Sequence, residues 1–64
     1  MDAIMLGRIV RAARKNLGVT QAELALMADT GRRFIVDLEN GKPGCELGRT
    51  LRVLAALGLK VRIE

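Results

Sequence analysis

Histidine, tryptophan and tyrosine are absent from the 64 residues, and cysteine, proline and phenylalanine occur once each. One cysteine forms no intrachain disulfide, and without histidine the Cys₂His₂ and His-based metal sites are excluded. With Phe34 as the lone aromatic, the stacking platforms that single-stranded nucleic acid requires are missing. The seven carboxylates are scattered and pair with no imidazole, so an acid/base enzyme is not expected and no cofactor is implied. No apolar run approaches the ~20 residues of a membrane span. Asp2 stands where a secretion signal would carry its basic start, and together with a free thiol this points to the cytoplasm.

What is present is apolar and basic. Half the residues are apolar, and eleven basic side chains face seven acidic ones, for a net charge of +4. The length admits a single domain that buries only ~60% of its unfolded surface. Without a disulfide or metal to staple it, association with a second chain is the expected remedy. Eight of the eleven cations are arginine, the side chain suited to planar recognition of phosphate and guanine. A solvated surface explains the same excess, so charge alone leaves nucleic acid open.

Glycines cut the chain into short pieces. Residues 3–17 read as a helix capped by Asp2 and stopped by Gly18, with Leu6, Ile9, Val10, Ala13 and Leu17 as its apolar stripe. Gly7 inside it costs up to ~1 kcal/mol relative to Ala. Thr20 and Glu23 form a capping box for a short helix over about 21–28, with Leu24, Ala25 and Ala28 inward. Asp29-Thr30-Gly31 is a turn, and Arg32 to Asn40 a further short helix with Ile35 and Leu38 inward. Phe34 suits core or rim. Lys42-Pro43-Gly44 forces a loop. Residues 46–57 are predicted as the last helix, with Leu47, Leu51, Leu54 and Leu57 as its stripe and Val53 beside it. Cys45 reads as a small, buried or half-buried residue near that helix start.

After Gly58, Leu59-Lys60-Val61-Arg62-Ile63-Glu64 alternates between apolar and charged, the period of a half-buried strand. A lone strand leaves its backbone groups unpaired. The simplest partner is the same segment of a second chain, antiparallel across a two-fold axis, with Leu59, Val61 and Ile63 turned inward. A frayed tail is the alternative. The chain thus divides into a domain over 1–58 and a dimerisation strand over 59–64.

Two short helices joined by a tight turn form a helix-turn-helix arrangement. The residues that carry it are Thr20-Gln21-Ala22-Glu23-Leu24-Ala25 and, at fixed distance, Ile35-Val36-Asp37-Leu38-Glu39-Asn40-Gly41-Lys42. Over about residues 6–58 the chain resembles the Xre, or lambda-repressor-like, helix-turn-helix family. The terminal Leu-Gly-Leu-Lys-Val-Arg-Ile-Glu makes it similar to HipB-like antitoxins. The resemblance implies an all-α, four-helix domain whose C-terminal β-strand pairs across a dimer. It departs from the family at two positions. Asp29 takes the turn position usually held by glycine, which aspartate tolerates. Gly31 takes the usual Ser/Thr cap of the recognition helix and offers no side-chain oxygen.

Arg32 and Arg33 open the predicted recognition helix, where an arginine reaches guanine O6 and N7 in the major groove. Two solvated arginines at a helix start are the alternative, though the helix dipole disfavours them there. By resemblance Val36 and Asp37 also approach bases, Val36 at a thymine methyl and Asp37 at a cytosine amino group. Asp37 equally suits an i to i+4 pairing with Arg33. The resemblance further assigns Thr20, Gln21, Asn40, Gly41 and Lys42 to phosphate contacts. Capping for Thr20 and a plain helix stop for Asn40-Gly41 stand beside those roles. Arg14 and Glu39 are similar to a family pair whose salt bridge turns the arginine toward the phosphate backbone. Two unrelated surface charges are the other reading.

The function expected is a dimeric, sequence-specific DNA-binding repressor on a near-palindromic operator. The antitoxin likeness implies autoregulation of its operon and a HipA-like kinase toxin as partner. The alternative is an interaction module that chiefly holds a protein partner and binds DNA weakly. A basic amphipathic peptide on a membrane is disfavoured, because the capping box and glycine stops specify a folded unit.

Overall fold

Caps set the helix boundaries in the computed structural model, which describes residues 1–62. Helix α1 spans Ala3–Leu17, α2 Gln21–Met27, α3 Arg32–Glu39 and α4 Leu47–Ala56. The Asp2 carboxylate accepts from the Met5 amide at 2.8 Å, and Gly18 closes α1 in the left-handed region at φ 72°. The capping box of α2 is complete: Glu23 N–H donates to Thr20 Oγ1, and Thr20 N–H to Glu23 Oε1. These bonds hold the Glu23 carboxyl below its usual pKa. Glu46 caps α4 by accepting from the Gly48 and Arg49 amides, which lowers its pKa in the same way. The sequence reading began α4 at that residue instead. Glutamate is an uncommon cap, and no local pattern marks it.

Val10 of α1, Leu24, Ala25 and Ala28 of the second helix region, Ile35 and Leu38 of α3, and Val53, Leu54 and Leu57 of the last segment form one core. Helix α3 packs on both α1 and α2, and α4 closes the core against α2. Phe34 lies at the rim, half-buried, with the Arg49 guanidinium 5.9 Å from its ring centre. Cys45 is half-buried as expected, its thiol donating to the Lys42 carbonyl.

Four expected core residues lie outside. Ile9, Leu17, Leu47 and Leu51 are 39%, 53%, 69% and 44% exposed. Helix α4 turns Thr50 inward with Val53, Leu54 and Leu57, and the Thr50 hydroxyl is satisfied by the Glu46 carbonyl at 2.8 Å. A buried threonine made the apolar stripe read one step off its true face. Leu17 ends α1, and Val19, after the Gly18 turn, packs on the core in its place. Ile9, Leu47 and Leu51 instead line a groove of about 550 Å³ between α1, α4 and the chain end, with Leu59 and Val61 on its wall.

Among the described residues there is no strand. Leu59 packs partly on the core and its amide bonds the Leu54 carbonyl, while Lys60, Val61 and Arg62 are exposed. The expected strand is therefore not formed over residues 59–62, where the four helices offer no neighbouring strand for a ladder. Ile63 lies outside the described residues.

Gly7, buried inside α1, is the point where α1 meets the end of α3. A Cβ there would collide with the Leu38 carbonyl oxygen and sit 2.7 Å from that of Glu39. Its helix cost is thus the condition for α1 and α3 to approach. Both obstacles are backbone, which cannot rotate away. Gly7→Ala is therefore expected to destabilise the fold by at least the ~1–3 kcal/mol typical of overpacking, despite the better helix propensity of alanine. Urea unfolding of both proteins reads this directly, and an alanine variant as stable as the parent would refute the close packing.

Candidate nucleic-acid interface

A buried carboxylate joins three helices. Glu39, at the end of α3, receives Arg14 of α1 through two bonds, Nε to Oε2 at 2.6 Å and Nη2 to Oε1 at 3.0 Å. The two side chains are 3% and 11% exposed, so the pair is screened little by water. Arg14 Nη1 also donates to the Val19 carbonyl, and the bond to Glu39 raises the arginine pKa. Gln21, the first residue of α2, donates to Glu39 Oε1 at 3.2 Å and accepts from Arg32 Nη2 at 3.3 Å. The chain of bonds runs Arg14, Glu39, Gln21, Arg32. It carries the setting of α1 and α2 to the first residue of α3.

The outward side of α3 is basic and open. Arg32 and Arg33 are exposed at its first turn, Val36 and Asp37 are half-buried one turn on, and Asn40 and Lys42 are exposed beyond its end. Asp37 takes Arg33 Nη2 on one oxygen at 3.2 Å and Lys42 Nζ on the other at 3.6 Å. Gly41 turns the chain at φ 77°, against Ile4 of α1, and the Lys42 amide bonds the Asp37 carbonyl. Thr20, exposed at the start of α2, and Gln21 belong to the same side through the Gln21–Arg32 bond.

The turn between α2 and α3 accommodates both departures noted in the sequence. Asp29 is the one non-glycine residue with positive φ, 53°, among those described. Gly31 is the N-cap of α3 with extended φ and ψ and no side-chain bond. Arg52 of α4 holds this turn from behind, Nε to the Ala28 carbonyl at 3.1 Å and Nη2 to that of Asp29 at 3.2 Å. Sequence reasoning passed over Arg52. Its signal is a mid-helix cation with no acidic residue three or four positions away.

Against this geometry, residues 10–62 match the helix-turn-helix family. The chain belongs to that family. It is also 48% identical over 58 residues, 91% of this chain and 76% of the relative, to an uncharacterized HTH-type transcriptional regulator, y4mF, of Sinorhizobium fredii.

Within this helix-turn-helix unit, α2, the turn at Asp29 and α3 are the paired helices, and α1 and α4 are their supports. The residues singled out from sequence fall into two sets. Thr20, Gln21, Arg32, Arg33, Val36, Asp37, Asn40 and Lys42 are drawn together along α3 and the start of α2. Arg14 and Gly41 lie beneath them, Arg14 with three N–H groups committed to Glu39 and Val19, and Gly41 buried against Ile4. Among the described residues no group of three His, Cys, Asp or Glu is placed to hold a metal, and no helix is long and apolar enough to cross a membrane.

Removing one member of a buried ion pair strands the other without water. Glu39→Ala is expected to cost about 3–5 kcal/mol, and the apolar double variant Arg14→Met with Glu39→Leu to recover most of it. Chemical unfolding of the three proteins tests this. A Glu39→Ala protein within 1 kcal/mol of the parent would mark the pair as a surface-type contact.

Proposed function

We propose that this chain is a DNA-binding transcription regulator that represses by occupying a near-palindromic operator as a homodimer. The observation that carries the reading is the open basic side of α3. Arg32 and Arg33 crowd a helix start where the dipole disfavours cations, an arrangement that an anionic duplex relieves. Membership in the helix-turn-helix family and the likeness to y4mF, an uncharacterized HTH-type transcriptional regulator, support the same reading. In it α3 enters the major groove. Arg32, Arg33 and Val36 meet base edges, and Asp37 lies among them. Thr20, Gln21, Asn40 and Lys42 touch phosphates, and Arg14 and the buried Gly41 sit behind them as their support.

The second copy is assigned to the apolar groove of α1 and α4. Leu47, Leu51, Ile9 and Val61 are exposed there in a chain too small to leave such area idle. The groove shares no residue with the basic side of α3, so both surfaces serve at once. Its wall carries the alternating Leu59–Arg62 segment, which forms no strand among the described residues, and the reciprocal segment of a second copy is its proposed partner. The HipB likeness extends the proposal to a kinase toxin as a further partner, tested by co-purification with the product of an adjacent reading frame.

The experiment for DNA reading compares a duplex selected by this protein from a random pool with a scrambled duplex, at several salt concentrations. Arg32→Ala or Arg33→Ala is expected to lose about 1–3 kcal/mol per half-site on the selected duplex alone. Lys42→Ala is expected to weaken both duplexes alike and flatten the salt slope by about one unit per chain. Equal losses for all three variants on both duplexes would reduce the arginines to phosphate grips.

For the dimer, Leu51→Asp places a charge in the groove at a residue already 44% exposed, so the single chain tolerates it. Sedimentation is expected to show a dimer for the parent and a monomer for the variant. An unchanged dimer would remove the groove from the interface.

A further inference from the structure

Asp37 is the one acidic side chain on the open side of α3, since Glu39 is turned into the interior. Its position is poor for the helix. It stands in the second half of α3, where a negative charge opposes the helix dipole, and it would repel a phosphate backbone. It is nevertheless anchored: the side chain is 19% exposed and divides its oxygens between Arg33, 84% exposed, and Lys42, 64% exposed. One carboxylate thus ties a cation of the base-reading set to a cation of the phosphate-gripping set.

We propose that Asp37 is a specificity-determining residue, one that restrains Arg33 from indiscriminate phosphate contact and releases it only to a duplex whose base edges replace it. The proposal rests on the DNA-binding reading above. A phosphate that draws Arg33 away leaves Asp37 facing negative charge with one oxygen unpaired. A step offering guanine O6 and N7 to Arg33 and a cytosine N4 amino group to Asp37 compensates both. Guanine and thymine edges present acceptors where Asp37 needs a donor, and only adenine N6 offers a substitute for cytosine N4. Asp37 therefore acts mainly by penalising the wrong duplex, which raises discrimination while lowering total affinity.

Asp37→Asn keeps the size and removes the charge, and Asp37→Glu keeps the charge. Binding is measured on the selected and the scrambled duplex across a salt series, with a thermal melt of each protein. For Asp37→Asn the scrambled duplex is expected to bind roughly 5-fold tighter, the effect of removing one repulsive charge near a phosphate in a water-like dielectric. Its salt slope is expected to steepen by about one unit as Arg33 is freed. The selected duplex gains less or loses affinity, so the ratio between the two falls. Asp37→Glu is expected to retain more of the ratio than Asp37→Asn, and the melts to stay close to the parent. A ratio and slope unchanged in Asp37→Asn, or equal weakening on both duplexes, would overturn the proposal. A parent protein that binds neither duplex would overturn the DNA reading itself, and with it this inference.

Discussion

The Glu39 carboxylate is the interaction on which the rest of the structure depends. It sits at the end of α3, nearly free of water, and takes bonds from Arg14 of α1 and Gln21 of α2. A charge so placed is tolerable only when paired and hydrogen-bonded, and both of its oxygens are occupied. Three short helices, two of them only seven and eight residues long, are too small to be stable alone. The apolar core holds them together, and Glu39 fixes how they are set. Gly7 allows the same approach sterically, since only a residue without a side chain lets α1 pass the carbonyls at the end of α3.

From that node the structure divides its labour between two surfaces. Gln21 passes the setting to Arg32, and Arg52 of α4 pins the Asp29 turn from the opposite side. The cations of α3 are therefore presented from a braced helix, which limits the ordering cost of recognition. The groove of α1 and α4 lies elsewhere and is apolar. Arg52 neighbours Leu51 of that groove in sequence, so one helix carries both a groove residue and the brace of the turn.

Most of the helical frame was legible because it is written in local chemistry. Asp2, the Thr20–Glu23 box, Gly18 and the Lys42-Pro43-Gly44 loop mark boundaries by rules that act within a few residues. The pairing of Arg14 with Glu39 came from a resemblance; nothing in a spacing of 25 residues announces it. What was not legible depends on tertiary geometry. The inward face of α4 was misread because Thr50 satisfies its hydroxyl within its own helix and so joins the core. Gly7 looked like a weakness until the carbonyls it faces were in place, and Arg52, a cation without a local acidic partner, took its role only from the Ala28 and Asp29 carbonyls it holds. The alternatives open for Asp37 resolve, in the free chain, to a carboxylate shared between Arg33 and Lys42.

The central claim is that the outward side of α3, with the start of α2 and the Asn40–Lys42 exit, is the surface that meets DNA. Amide chemical-shift mapping of the isotopically labelled protein during titration with its selected duplex tests it most directly. The largest changes are expected at residues 20–21, 31–37 and 40–42, with Ile9 and Leu51 nearly unmoved. Changes concentrated on the α1 and α4 groove, with α3 silent, would contradict the account.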